Sequence, residues 1–187
     1  PLEDGWITIS SSKSRVMYPS RFMLIAAMNP CPCGYYGDDK KQCICSPSQI
    51  FRYRSRISGP ILDRIDIITE VQRVETEKIV NLRPAESSNS IRERVINAHK
   101  IQAERYKGSG ILYNSELTPK KISKYVMMTK DAKDLLKLAA DKFYLSGRAI
   151  IKIMKVSRTI ADLREVEKVD IQDISEAIQY RTKDFLS

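Results

Sequence analysis

Around residues 83–90, "RPAESSNS", the hydrophobic pattern changes its period, and that change limits the architectures open to the chain. Before it, apolar residues alternate with polar ones in "WITIS", pause at the turn "SSKS" and resume in "RVMY", where Pro19 ends the ladder. This is the pattern of a β-hairpin. The continuous apolar run "RFMLIAAM" and the β-branched "DIITEVQRV" predict two further strands, the first covered on both faces. After residue 83 only helical spacing remains. Ile91, Val95, Ala98 and Ile101 share one face over 90–107. The stretches "TPKKISKYVMM", "TKDAKDLLKLAADKF", "SGRAIIKIMKVSRTIADL" and "DIQDISEAIQYR" then each begin with a residue able to cap a helix. Strands followed by a helical cluster predict an incomplete α/β layer over 1–83 and an all-α domain over 84–187.

Between the two apolar runs of the first part lies a different signal. All four cysteines fall within fifteen positions, as Cys31-x-Cys33 and Cys43-x-Cys45, separated by nine residues rich in Gly, Asp and Lys. A loop of that length can fold back and gather four thiolates around one ion. Zn²⁺ suits four sulfurs because it is tetrahedral and has no redox chemistry. Lys40 and Lys41 would offset the negative charge, and Pro32 and Gly34 would make the tight turns. Free thiols or a disulfide pair are the alternatives, the latter requiring an oxidising compartment that nothing in the sequence indicates. A site closed by four cysteines is structural, with no position left for a reacting water. Just after it, Ser46 and Pro47 predict a helix start in "SPSQIFRYRSRI", which "SGP" ends before a short turn or helix at "ILDRI".

The net charge of +9, with a pI near 9.4, favours polyanionic partners or a solvated basic face. The excess is distributed, with 12 Lys and Arg against 9 Asp and Glu before residue 86, and 20 against 14 after it. No apolar run approaches the roughly 20 residues of a membrane span. The opening "PLEDGWITIS" has neither an initiating Met nor the layout of a signal peptide, so a trimmed, cytoplasmic chain is expected.

Three stretches in order, "RFMLIAAMNPCPCG", "RYRSRISGPILDRIDI" and "LSGRAIIKIMKVSRTIADL", closely resemble the magnesium-chelatase-like AAA+ ATPases of bacteria, in the YifB/ComM branch. This group is related to the chelatase motor subunit and more distantly to MCM helicases. The resemblance covers essentially the whole chain. It implies the C-terminal half of an AAA+ α/β core, with a β-hairpin, the sensor-1 strand and one further core strand, followed by a helical lid. The cysteine pairs belong to the branch pattern and are not expected in true chelatase motors.

The resemblance also assigns roles. Asn29, after the apolar run, looks like sensor 1, whose carboxamide can orient the attacking water without carrying charge. Arg64 in "LDRID" looks like the arginine finger that reaches a neighbouring subunit's ATP. Arg148 in "LSGRA" looks like sensor 2, touching the nucleotide phosphates from the lid. In related helicases the hairpin before sensor 1 faces the pore, which would let Lys13 and Arg15 neutralise DNA phosphates. Read singly, these are ordinary residues: an Asn at a turn, an Arg64 able to pair with Asp63 or Asp66, a solvated Arg148 and a basic hairpin tip.

Two family elements have no counterpart among these 187 residues: a G-x-x-x-x-G-K-[ST] stretch and an apolar strand ending in Asp-Glu for Mg²⁺. Both lie upstream of "PLEDG" in the family, so the isolated chain is expected to be inactive. The implied intact protein is a hexameric ATPase using ATP and Mg²⁺, with Zn²⁺ at the cysteines, acting on DNA by branch migration or helicase-like remodelling. A chelatase-type motor for metal insertion into a tetrapyrrole, or a non-enzymatic zinc-knuckle and helical binding module, are the other readings. His99 reads as a helix-surface residue, and Tyr125, Met127 and Met128 as lid core.

Overall fold

The hairpin follows from the alternation of its side chains. In the computed structural model, which describes residues 2–71, 73, 74, 77, 80, 81 and 85–181, strand β1 (Trp6–Ser10) pairs antiparallel with β2 (Arg15–Pro19). The register sets Trp6 opposite Pro19 and Ser10 opposite Arg15. Pro19 closes the ladder at the end where its missing N–H costs nothing. The four-residue loop between the strands is organised by Ser11, whose backbone N–H donates to the Ser14 carbonyl at 2.8 Å and whose hydroxyl accepts from the Ser14 N–H at 3.2 Å.

Chain contacts divide the molecule into two compact units, the first reaching Ile65 and the second beginning at Asp66. In the first unit, the hairpin is followed by the cysteine loop and two helices, α1 (Pro47–Arg54) and α2 (Gly59–Leu62). The cap of α1 is the one that the sequence predicts. The Ser46 hydroxyl accepts from the Gln49 N–H, and the Gln49 side chain accepts from the Ser46 N–H at 2.8 Å, with Pro47 at the first helical position.

The two further strands are corrections. Residues 21–28 and the described residues of 66–74 form no ladder, and Met23 and Ile25 are each more than four-fifths exposed. A hydrophobic run becomes a strand only when a neighbouring strand takes up its N–H and C=O groups. Among the described residues, none offers that pairing, and the only sheet is β1–β2. The boundary expected at residues 83 and 84 lies outside the described residues.

The second unit is helical: α3 (Ser88–Arg105), a single 3₁₀ turn (Asn114–Glu116), α4 (Pro119–Tyr125), α5 (Lys130–Lys142), α6 (Gly147–Leu163) and α7 (Ile171–Gln179). The side chains of Ser87, Thr129, Ser146 and Asp170 accept hydrogen bonds from backbone N–H groups at the helix starts, whereas Thr118 occupies the cap position of α4 without doing so. Helices α6 and α7 pack together, α5 packs on α7, and α3 and α4 pack on α6. The core between them contains Leu117, Ile122, Val126, Leu136, Ile153, Val169, Ile174 and Ala177. The loops are tied by a parallel bridge in which the Val169 N–H donates to Met127 O at 2.8 Å and the Thr129 N–H to Val169 O at 3.0 Å.

Helix α3 contributes less apolar surface than its spacing predicts. Only Ala98 of the four expected residues is buried, while Ile91 and Val95 are exposed and Gln102 is buried instead. Tyr125 and Met128 pack against the core, whereas Met127 is exposed. No helix of the described residues is long and apolar enough to cross a membrane.

Candidate metal centre and nucleotide-facing residues

The cysteine loop is shaped by glycines and one aspartate. Gly34 and Gly37 adopt φ of 82° and 83°, a left-handed conformation that an L side chain resists. The Gly34 N–H donates to Cys31 O at 3.0 Å, and Asp38 Oδ1 accepts from the N–H groups of Lys40 and Lys41 at 2.8 and 2.9 Å. These turns bring the two cysteine pairs together. The four Sγ atoms lie within 4.8 Å of one another, and all four thiols are free. Cys31 and Cys33 are 3.3 Å apart, Cys31 and Cys43 3.6 Å, and Cys33 and Cys43 3.5 Å.

These separations are far longer than a disulfide bond and close to the ~3.8 Å edge of a tetrahedral site built on Zn–S bonds of about 2.3 Å. The donor set therefore fits Zn²⁺. Cys31 is fully buried and the other three are partly so. The thiols are electrostatically unequal. The Tyr35 N–H brings Cys33 down to about 6 against the opposing effect of desolvation, assisted by the Ile44 N–H. Cys43 is pushed up to about 12: the Cys45 N–H pulls the other way, but desolvation and the neighbouring thiols prevail. Desolvation also raises Cys45. Lys41 sits 4.0 Å above the Tyr35 ring, so its cation lies beside the knuckle.

Asn29 is exposed immediately before this loop. Its carboxamide lies against Gly34: a Cβ added there would be 3.9 Å from both Asn29 Cγ and Nδ2. Arg54, the last residue of α1, secures the same corner by donating from Nε to Pro30 O at 3.2 Å and stacking 4.7 Å from the Tyr36 ring. Asn29 and the cysteines are thus brought into one locale. Arg64 follows α2, about one-third exposed, with Nη1 donating to Pro60 O at 2.7 Å and Nε 3.7 Å from Glu3 Oε2. Lys13 occupies the hairpin turn and Arg15 begins β2, both exposed.

Arg148 is exposed at the second position of α6. A cation in a helix's first turn opposes the helix dipole, so helix stability does not account for an arginine there. His99 is exposed on α3, its ring 5.3 Å from that of Tyr113.

Two polar features escaped the sequence reading. One is a buried network in the helical unit centred on Asp162, which accepts from Arg105 Nη1 at 2.9 Å, Arg158 Nε at 3.1 Å and Asn114 Nδ2 at 2.8 Å. The other is an ion pair between Lys152 and Asp66 at 3.1 Å. The first had a partial signal, since Arg158 and Asp162 stand four residues apart, one helical turn, on the same helix. The second joins residues too distant in sequence to announce each other.

Comparison with known proteins accounts for both parts of the chain. Residues 1–79 match the family model of the magnesium chelatase subunit ChlI, and residues 85–181 match that of the ChlI C-terminal region. The uncharacterized protein YifB of Salmonella typhimurium is 37% identical over 188 residues, covering 100% of this chain and 36% of its own length. The competence protein ComM of Haemophilus influenzae is 39% identical over 182 residues, covering 97% and 35%. YifB of Escherichia coli is 34% identical over 190 residues, covering 100% and 36%. The chain therefore spans about a third of the length of these relatives. With both of its parts matched in order, the chain belongs to the magnesium chelatase subunit ChlI family, alongside YifB and ComM.

Proposed function

We propose that this chain is the C-terminal part of a hexameric AAA+ ATPase whose intact form couples ATP hydrolysis to DNA remodelling, with branch migration in recombination or transformation as its task. The observation that carries the proposal is the ordered family match over 1–79 and 85–181, with a relative named as a competence protein. Residues 1–83 would complete the α/β core and 84–187 would form the lid, in a cytoplasmic protein.

Each candidate residue has chemistry suited to its role. Asn29 can accept a hydrogen bond from a water and donate one to phosphate, orienting the water for in-line attack. Arg64 presents a planar, permanent charge to the γ-phosphate of a neighbouring subunit's ATP. Arg148 meets nucleotide phosphates from the first turn of α6. Bound Mg²⁺ would neutralise charge developing between the β- and γ-phosphates. The hairpin carries Lys13 and Arg15 at its turn end and exposed Trp6 and Tyr18 toward its other end, so phosphate neutralisation and base stacking are available on one exposed element. Cys31, Cys33, Cys43 and Cys45 would hold Zn²⁺ as a structural ion that keeps the loop beside Asn29 in shape.

The test is ATP turnover by the full-length protein with and without branched DNA. DNA-stimulated hydrolysis is the expected result. An ATPase indifferent to DNA overturns the DNA reading, and no hydrolysis overturns the proposal as a whole.

A further inference from the structure

Asn29 is followed by proline, which narrows the freedom that a nearby anchor has to remove. A residue before proline is confined largely to extended conformations, and the ring fixes φ of Pro30 itself near about −65°. What remains at Pro30 is rotation about ψ, which turns its carbonyl. Arg54 Nε donates to that carbonyl at 3.2 Å, so the last residue of α1 sets its direction. On the other side, the Asn29 carboxamide lies beside Gly34, where an added Cβ would be 3.9 Å from Nδ2.

The guanidinium is itself held. It lies 4.7 Å from the centre of the Tyr36 ring, a cation–π contact, while the Tyr36 N–H hydrogen-bonds the Cys31 sulfur. Cys31 is fully buried and follows Pro30 directly. The far end of α1 is fixed too, because its boxed cap, Ser46, comes immediately after Cys45. Arg54 thus reaches from a helix anchored at the last cysteine back to the residue before the first. A cation in a helix's last turn complements the dipole wherever its side chain is aimed, so the dipole does not account for this aim. All of these residues belong to the first compact unit.

We propose that Arg54, seated on the Tyr36 ring, is a positioning residue that fixes Asn29 against the cysteine knuckle. The inference rests on the ATPase reading above and deepens it. A carboxamide that orients a water for in-line attack tolerates little error, since a misplacement of about 1 Å costs on the order of a hundredfold in rate. Arg54 itself touches neither nucleotide nor water in this scheme.

The test uses the full-length protein, with zinc content measured beside turnover. Arg54→Met keeps the aliphatic stem but removes the donor and the cation. It should lower kcat for ATP by roughly tenfold while KM stays within about threefold, because placement is lost and binding is not. Tyr36→Leu should reproduce the loss, whereas Tyr36→Phe, which keeps the ring, should turn over like the wild type. With Asn29→Ala already in place, Arg54→Met should slow hydrolysis no further, since it acts through the side chain removed. Zinc per chain should match the wild type in every variant. Unchanged kcat, an effect confined to KM, a further loss without Asn29, or zinc lost in step with turnover overturns the proposal. Should Arg54→Met not fold, the two Tyr36 variants decide the matter alone. Should the wild-type protein hydrolyse no ATP, the ATPase reading falls separately, and amide exchange still tests the clamp. The readout is the Gly34 N–H, which donates to Cys31 O at 3.0 Å. Exchange there about tenfold faster in Arg54→Met supports the clamp, and unchanged exchange overturns it.

Discussion

Arg158 and Asp162 face each other one helical turn apart on α6, both almost wholly removed from water. Arg158 Nε donates to Asp162 Oδ1 at 3.1 Å, and its Nη2 donates to Val166 O at 2.6 Å. Asp162 also serves Arg105 of α3 and Asn114 of the 3₁₀ turn, while Arg158 secures the loop leading to α7. Burial presses the Arg158 guanidinium below its ordinary pKa, and Asp162 acts against that shift. Asp162 and Arg158 together therefore join the connections before and after α6.

Asp162→Asn keeps the shape and removes the charge that two guanidiniums share. Deleting one partner of a buried ion pair commonly costs about 3–5 kcal/mol. The variant is expected to unfold at markedly lower urea concentration, by a cost of that order. A midpoint within error of wild type refutes a stabilising role for the network.

Ile174 on α7 is fully buried in the core between α5, α6 and α7. Ile174→Ala should cost about 2–5 kcal/mol through lost burial and the cavity left behind. Thermal unfolding measures this. Ile91→Ala on α3, at an exposed position, should shift stability by less than about 0.5 kcal/mol.

Zinc binding should release protons in a number set by the unequal thiols. At pH 7.5, Cys33, at about 6, is already mostly thiolate and has little left to lose. Cys43, at about 12, and the raised Cys45 are still protonated and must each give up a proton to bind metal. Calorimetry in buffers of different ionisation enthalpy should therefore count about two to three protons per Zn²⁺. Apparent affinity should rise with pH between 6.5 and 8.5, because thiols still protonated oppose the metal progressively less. Four protons, or none, contradicts the assigned inequality. Cys31→Ser should lose zinc to a chelator much faster than wild type.

Arg64→Ala in the full-length protein should reduce ATP hydrolysis by on the order of a thousandfold, the scale of an arginine finger, while ATP binding remains within a few-fold. Mixed with wild-type subunits, it should poison turnover in the proposed ring. Normal turnover by the variant sinks the assignment.

The features legible in the sequence are those that close within a few residues. Ser46 and Gln49 box the start of α1 because the cap and its partner lie three positions apart. The hairpin follows from alternation and a short serine-rich turn, and the four sulfurs gather because two turns with left-handed glycines separate the pairs. The apolar run over 21–28 misled for the complementary reason: its pattern records a preference for burial, but a strand exists only where another strand supplies hydrogen bonds.

By itself, the sequence determined the hairpin, the cysteine cluster, the helix starts and the family to which they belong. Tertiary structure alone decided that Asp162 would neutralise Arg105 from 57 positions away, and that Lys152 would hold Asp66. Local geometry propagates along the backbone over one or two turns. Charge compensation between elements depends on which side chains packing removes from water together, and no periodicity in a single segment encodes that pairing.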